Sequence, residues 1–149
     1  MTTDLPTSTS APTATADAAA AYFAAKLACE TDPSDVYEAQ KAGERFLLVD
    51  VRGAEAWAQG RIPGAVHIPY GTIAERAAHD IPLDMPVVVY CWSPGCNAGA
   101  KGALAFTQAG YSVREMIGGF EYWAREGYPT EDDDGTLPRM RDRLVALVR

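Results

Sequence analysis

Short apolar runs alternate with helical stretches along the chain, and this alternation predicts an α/β domain. The runs FLLVDV at 46–51 and VVVYC at 87–91 are too short for helices and are typical of strands buried on both faces. Strands and intervening helices in this order favour a mainly parallel sheet with right-handed crossovers. Further strands are predicted at 27–31, 65–68 and 113–116, and helices at 18–26, 33–42, 54–59, 72–78, 98–109 and 119–126.

The two ends of the chain differ in composition from the domain predicted at 17–130. Residues 1–16 are small, polar and proline-containing, which is typical of a flexible tail. Residues 131–149 are predicted to form an acidic link and an amphipathic helix. The apolar stripe of that helix is expected to pack on its own domain, and a homodimer formed through it is the alternative. The stripe consists of Leu137, Met140, Leu144, Leu147 and Val148.

The charge of the chain restricts its partners. The formal net charge is -7 and the sequence pI is about 4.7. Nucleic acids and anionic membrane surfaces both require clustered cations, so we expect neither as a partner. No apolar run approaches the roughly 20 residues of a membrane span.

Cysteine usage favours a reducing compartment. The chain has three cysteines, too few for a secreted disulfide framework, and it has no C-x₂-C pair of the kind that binds zinc. No Lys or Arg precedes Lys26, so neither a secretory signal nor a mitochondrial transit peptide is expected. We therefore predict a cytoplasmic protein without a metal site, in which an exposed cysteine has a chemical role.

Cys91 is the candidate nucleophile, because it lies at the carboxyl end of a predicted central strand. Ligands of open α/β sheets bind at this edge. Loop amides and the start of the next helix would stabilise a thiolate there and lower its pKa. The alternative is a buried cysteine at the end of a strand. The candidate binding loop comprises Trp92, Ser93, Pro94, Gly95, Asn97, Ala98 and Gly99.

Four segments, in the same order, resemble motifs of the rhodanese family of sulfurtransferases. The resemblance extends over about residues 27–130. It implies a rhodanese-like three-layer fold, with a mainly parallel five-stranded sheet between helices on both faces. It also implies that Asp50 and Arg52 support the loop, by bonding to its amides or to each other. The segments are DVR at 50–52, GRIPGAVHIP at 60–69, VVVYC at 87–91 and GGFEYW at 118–123.

The loop itself departs from the family pattern. A typical rhodanese loop has an arginine five residues after its cysteine, and that arginine binds the anionic end of thiosulfate. Here the fifth residue is Cys96, and no arginine occurs between Cys91 and Arg114. Lys101 is the nearest cation in sequence, so the sulfur donor is left open.

The resemblance implies a sulfurtransferase that needs no cofactor. Cys91 would take sulfane sulfur from thiosulfate, a persulfide or polysulfide, carry it as a persulfide, and pass it to a thiol or protein acceptor. Cys96 would then be either a resolving thiol that attacks this persulfide or a small loop residue.

Two other functions remain open from the residues alone. A redox-sensing interaction domain would use Cys91 and Cys96 as a dithiol–disulfide switch. A phosphatase of this fold would need an arginine six residues after the cysteine to hold phosphate, and Asn97 occupies that position. The phosphatase interpretation is therefore the weakest of the three.

Overall fold

Five parallel strands form the central sheet of the computed structural model, which describes residues 12–149. The order of the strands across the sheet is β1-β5-β4-β2-β3. The strand that precedes the candidate nucleophile therefore lies in the middle of the sheet. In chain order the strands are β1 Glu30–Thr31, β2 Leu47–Asp50, β3 Val66–His67, β4 Val87–Tyr90 and β5 Val113–Met116.

Residues 12–149 contain six α-helices, and helices pack on both faces of this sheet. Helix α2 begins as predicted, because Asp32 caps it by accepting a bond from the Asp35 N–H (2.9 Å) and Pro33 occupies its first turn. The predicted fold class, a parallel α/β sheet flanked by helices, is thus confirmed. The helices are α1 Ala16–Cys29, α2 Pro33–Lys41, α3 Ala54–Gln59, α4 Ile73–Asp80, α5 Ala98–Gln108 and α6 Gly119–Arg125.

Successive residues of β2 point into two different cores. Val49 packs with Ile73 of α4 and Phe106 of α5 on one face of the sheet. Leu48 packs with Val36 of α2 and Trp123 of α6 on the other. Burial on both faces is why the strand sequences are continuously apolar rather than alternating.

The N-terminal helix is longer than predicted. Thr15 caps α1, and the helix runs to Cys29, so only two residues of the strand predicted at 27–31 pair with the sheet. The alanine-rich sequence favours continuation of the helix. Cys29, the last residue of α1, is exposed. Residues 1–11 of the predicted tail lie outside the described residues.

The prediction of a C-terminal amphipathic helix is wrong. Residues 131–149 contribute to an antiparallel hairpin, β6 Thr130–Asp132 with β7 Gly135–Leu137, and 138–149 contain turns but no helix. Met140 and Leu144 remain about nine-tenths exposed. An isolated helix of this length depends on packing for stability, and the apolar residues of this stripe remain exposed. A homodimer formed through this segment stays a prediction.

The helices within 12–149 are too short or too polar for any of them to cross a lipid bilayer.

Candidate active site

Cys91 directly follows β4, and its side chain is only 4% exposed. The first turn of α6 holds the backbone after this cysteine: the Phe120 N–H donates to the Cys91 carbonyl (2.9 Å) and the Glu121 N–H to the Trp92 carbonyl (2.8 Å). Gly119 permits this approach, since a Cβ at its position would lie 2.6 Å from the Cys91 carbonyl oxygen. The start of the candidate loop is therefore fixed against a helix.

Cys91 and Cys96 form a disulfide, with their Cα atoms 6.4 Å apart. A tight turn returns the chain to Cys91: the Cys96 N–H donates to the Ser93 carbonyl (3.0 Å), and the Gly95 N–H donates to Ser93 Oγ (3.2 Å). The loop thus brings the two cysteines named from the sequence into bonding contact. A pair in this arrangement can alternate between dithiol and disulfide.

A buried ion pair lies beneath the loop. Asp50 and Arg52 bond to each other, with Arg52 Nη2 2.7 Å from Asp50 Oδ2, and Arg52 also donates to the Gly60 carbonyl (2.6 Å). The Tyr90 hydroxyl donates to Asp50 Oδ2 (2.8 Å). Burial and the charge of Asp50 raise the pKa of Tyr90 well above its ordinary value, so this hydroxyl keeps its proton.

The same arginine supports the loop through aromatic stacking. The Arg52 guanidinium carbon lies 4.3 Å from the ring centre of Trp92 and 4.7 Å from that of Phe120. Trp92 remains 39% exposed on its other side. Cation–π contact therefore connects the buried pair to the loop surface.

A cavity of about 230 Å³ borders the disulfide. Its walls come from three places: the loop, the segment that ends β5 and begins α6, and helix α1. Its charged side chains are Lys26 and Glu115. The full lining is Lys26, Cys91, Ser93, Pro94, Cys96, Glu115, Met116, Ile117, Gly118 and Gly119.

The cationic side chain that lines this cavity is not Lys101, the cation nearest to the loop in sequence. Lys101 directs its Nζ to the Tyr70 ring, 5.5 Å from the ring centre, and does not line the cavity. Lys26 lines it instead, although it lies far from the loop in sequence. Neither Lys26 nor Glu115 was predicted from the sequence as a site residue. Only the position of Glu115 near the carboxyl end of a predicted strand could have suggested its place.

Two carboxylates surround Lys26. Its Nζ lies 2.6 Å from Glu30 Oε2, and this bond raises the pKa of Lys26. Burial, followed by the negative charge of Glu30, raises the pKa of Glu115, while Lys26 acts against that rise. With all three groups ionised, the sum is one positive and two negative charges, a net charge of -1.

The remaining loop residues have different environments. Ala98 packs against the core, and Gly99 at the start of α5 lies under Glu115, where a Cβ would be 2.9 Å from Oε1. Gly95 and Asn97 are exposed and lie outside the cavity lining. Within residues 12–149, no three His, Cys, Asp or Glu side chains group as metal ligands would.

An open parallel sheet whose central strand ends at a cysteine defines a class of α/β domains with their chemistry in one loop. Residues 32–126 match the family described as the rhodanese-like domain. The match covers more than half of the chain, which therefore belongs to the rhodanese-like domain family.

Relatives and solved structures agree with this assignment. The thiosulfate sulfurtransferase GlpE of Actinobacillus succinogenes is 35% identical over 96 residues, which cover 64% of this chain and 84% of that protein. The HTH-type transcriptional regulator Rv0324 of Mycobacterium tuberculosis is 31% identical over 99 residues, 66% of this chain but only 43% of the regulator. The crystal structure of the BH2092 protein from Bacillus halodurans superposes with a TM-score of 0.74 at 38% identity, covering 80% of this chain and 88% of that one.

Proposed function

We propose that this protein is a sulfurtransferase that carries sulfane sulfur on Cys91. The observation that carries the proposal is the position of Cys91, at the end of the central strand and on the wall of a cavity. Similarity to a relative named thiosulfate sulfurtransferase supports the same reaction class. No cofactor is required, because the sulfur of the nucleophile itself carries the transferred group.

The proposed reaction has two displacement steps. The Cys91 thiolate attacks the sulfane sulfur of the donor, the donor S–S bond breaks, and the donor leaves as sulfite or a thiolate. Cys91 then bears a persulfide. An acceptor thiolate attacks its outer sulfur, forms a new S–S bond, and restores the Cys91 thiolate.

The second cysteine gives this site an additional route. The Cys96 thiolate would attack Cys91 Sγ, displace the outer sulfur as hydrosulfide, and form the Cys91–Cys96 disulfide. Two electrons pass from the two thiols to the sulfane sulfur in this step. A small dithiol would then return the pair to the reduced form. The disulfide between the two residues supports this route, since the loop brings their sulfur atoms within bonding contact.

A redox switch is the second candidate function, and the same disulfide favours it. An oxidant of the peroxide or disulfide class would take two electrons from the two thiols without any sulfur being carried. The absence of an arginine between Cys91 and Arg114 agrees with this alternative, because the family's anion-binding residue is missing from the loop.

Mass spectrometry of the reduced protein separates the two functions. A Cys29→Ser background removes the exposed free thiol, and samples are incubated with thiosulfate or with a small persulfide. We expect one added sulfur atom on the Cys91 peptide, none in Cys91→Ser, and greater accumulation in Cys96→Ser. No added sulfur on Cys91 from any donor in Cys96→Ser, where the persulfide cannot be resolved by Cys96, would contradict the sulfurtransferase, and a Cys91–Cys96 disulfide forming in the Cys29→Ser protein on treatment with peroxide would then favour the switch.

A further inference from the structure

The charge of the cavity differs from what a thiosulfate site requires. Thiosulfate is a dianion, and the loop beside Cys91 contains no cationic side chain. The cation in the cavity wall is Lys26, and Glu30 already accepts a 2.6 Å bond from it. Glu115 adds a second carboxylate, so a dianion would enter a site with a net negative charge.

Glu115 occupies a central position at this site. It lies on β5 opposite Val89 of β4, two residues before the nucleophile on the neighbouring strand. Its carboxylate reaches over the first turn of α5 at Gly99, and the side chain also lines the cavity with both cysteines. The half-buried carboxylate would interact electrostatically with a charged donor bound in the cavity. Little water would lie between the two, so this interaction would be stronger than in bulk water.

We propose that Glu115 is a specificity-determining residue: its carboxylate disfavours dianionic sulfur donors and selects persulfides of small thiols that carry an ammonium group. This inference rests on the proposed function. The transfer step is R–S–SH plus the Cys91 thiolate giving the Cys91 persulfide and R–S⁻, so neither an oxidant nor a reductant is consumed. The leaving thiolate carries the ammonium group that the carboxylate attracts.

The chemistry of the neighbouring groups supports this assignment. Glu30 and Lys26 face Glu115 from the α1–β1 side, and the two cysteines face it from the loop. Burial and Glu30 raise the pKa of Glu115, so discrimination should weaken at acidic pH as the carboxylate takes up a proton. Lys26 has the opposite charge, so its removal should strengthen discrimination against anions.

Two small persulfides of opposite charge test the proposal. Cysteamine persulfide carries an ammonium group, and 3-mercaptopropionate persulfide carries a carboxylate in its place. The rate of sulfur loading on Cys91 is measured for each by rapid quenching and mass spectrometry, using reduced protein in a Cys29→Ser, Cys96→Ser background in which Cys96 cannot remove the added sulfur. The ratio of the two rates cancels the reactivity of the Cys91 thiolate, and comparing this ratio between variants cancels the different leaving-group reactivities of the two donors.

We expect the wild type to favour cysteamine persulfide. Glu115→Gln should lower this preference about tenfold, as expected for one unit charge at close range in a partly solvated site. Lys26→Met should raise the preference. Glu75→Gln is the matched control, since Glu75 is exposed on α4 and does not line the cavity.

The outcomes separate this inference from the function on which it rests. Sulfur loading that proceeds in Glu115→Gln with an unchanged rate ratio would overturn the role of Glu115 and leave the sulfurtransferase standing. Absence of loading from every donor, in the wild type as well, would overturn both. Circular dichroism of each variant confirms that the compared proteins are folded.

Discussion

The guanidinium of Arg52 pairs with the carboxylate of Asp50 in the interior of the protein, where neither side chain is more than 1% exposed. Two side-chain nitrogens of Arg52, Nε and Nη2, donate hydrogen bonds to that carboxylate. The backbone N–H of Arg52 donates to the same group (3.0 Å). The other faces of the guanidinium contact aromatic rings, including that of Trp92. One buried pair thus links the end of β2 to the loop that follows β4.

Replacing Asp50 by Asn should destabilise the protein strongly. The amide keeps the shape of the carboxylate but leaves the Arg52 charge buried without its partner. Removing one member of a buried pair costs about 3–5 kcal/mol in the free energy of unfolding. Urea denaturation at neutral pH measures the change.

The exposed pair between Arg45 and Asp84 provides a matched control. The two side chains are more than half exposed, and Arg45 Nη2 lies 3.4 Å from Asp84 Oδ2. Asp84→Asn should therefore change the free energy of unfolding by less than about 1 kcal/mol. If Asp50→Asn and Asp84→Asn changed the free energy of unfolding equally, the prediction that burial makes the Asp50–Arg52 pair more important for stability would be wrong.

Gly119→Ala should disrupt the contact between α6 and the loop. Gly119 has φ +63°, and a Cβ there would meet backbone atoms of Cys91, Trp92 and Ser93 at 2.6–2.9 Å. Left-handed backbone and overpacking together should lower the free energy of unfolding by about 2–4 kcal/mol. Sulfur loading of Cys91 should fall as well, because the loop must shift.

Gly71→Ala is the control for this substitution. Apart from its own neighbours in the chain, no residue comes within 4 Å of a Cβ at position 71, and the φ of Gly71 is not in the left-handed region. Thermal unfolding of the two variants side by side gives the comparison. A Gly119 variant as stable as the Gly71 variant would show that the close approach of α6 is dispensable.

The stability of the protein should depend on pH through Glu115. Burial and the charge of Glu30 raise its pKa above the ordinary value of 4.5. Above pH 4.5 the folded protein retains a proton that the unfolded chain has lost, so the free energy of unfolding falls as pH rises through this range. Glu115→Gln lacks the carboxyl group that takes up this proton. The free energy of unfolding of this variant, relative to the wild type, should therefore increase with pH over the same range.

Urea denaturation of both proteins from about pH 4 to about pH 8 checks this sign. The difference in free energy should level off once Glu115 is ionised in the folded state. Lys26→Met should make the fall in stability steeper, because Lys26 favours the ionised form. A difference between the wild type and Glu115→Gln that is constant with pH would contradict the prediction.

Local features that depend on neighbouring residues were predictable. The helix at 54–59 and the strand at 113–116 match the structure to the residue, and α5 begins at Ala98 as expected. Asp32 and Pro33 specify the start of α2 through bonds and backbone angles within one turn. These signals lie in the same few residues that adopt the structure.

The C-terminal apolar stripe shows what a local sequence pattern could not predict. Leu137, Met140 and Leu144 have helical spacing, yet Leu137 joins a hairpin and the other two remain exposed. An amphipathic pattern states which face would be buried but not whether a surface exists to receive it. Arg61 exchanges backbone bonds with Glu131 (2.9 Å each way), which commits this part of the chain to extended structure.

The sequence by itself determined the parallel α/β architecture and the place of Cys91, because short apolar runs and the ends of strands are local properties. The tertiary structure alone decided which charges border the nucleophile. Pairing of β1 with β5 sets Thr31 opposite Met116, and this register brings Lys26 of α1 beside Glu115. Strand pairing joins segments more than 80 residues apart, and no pattern within either segment encodes its partner.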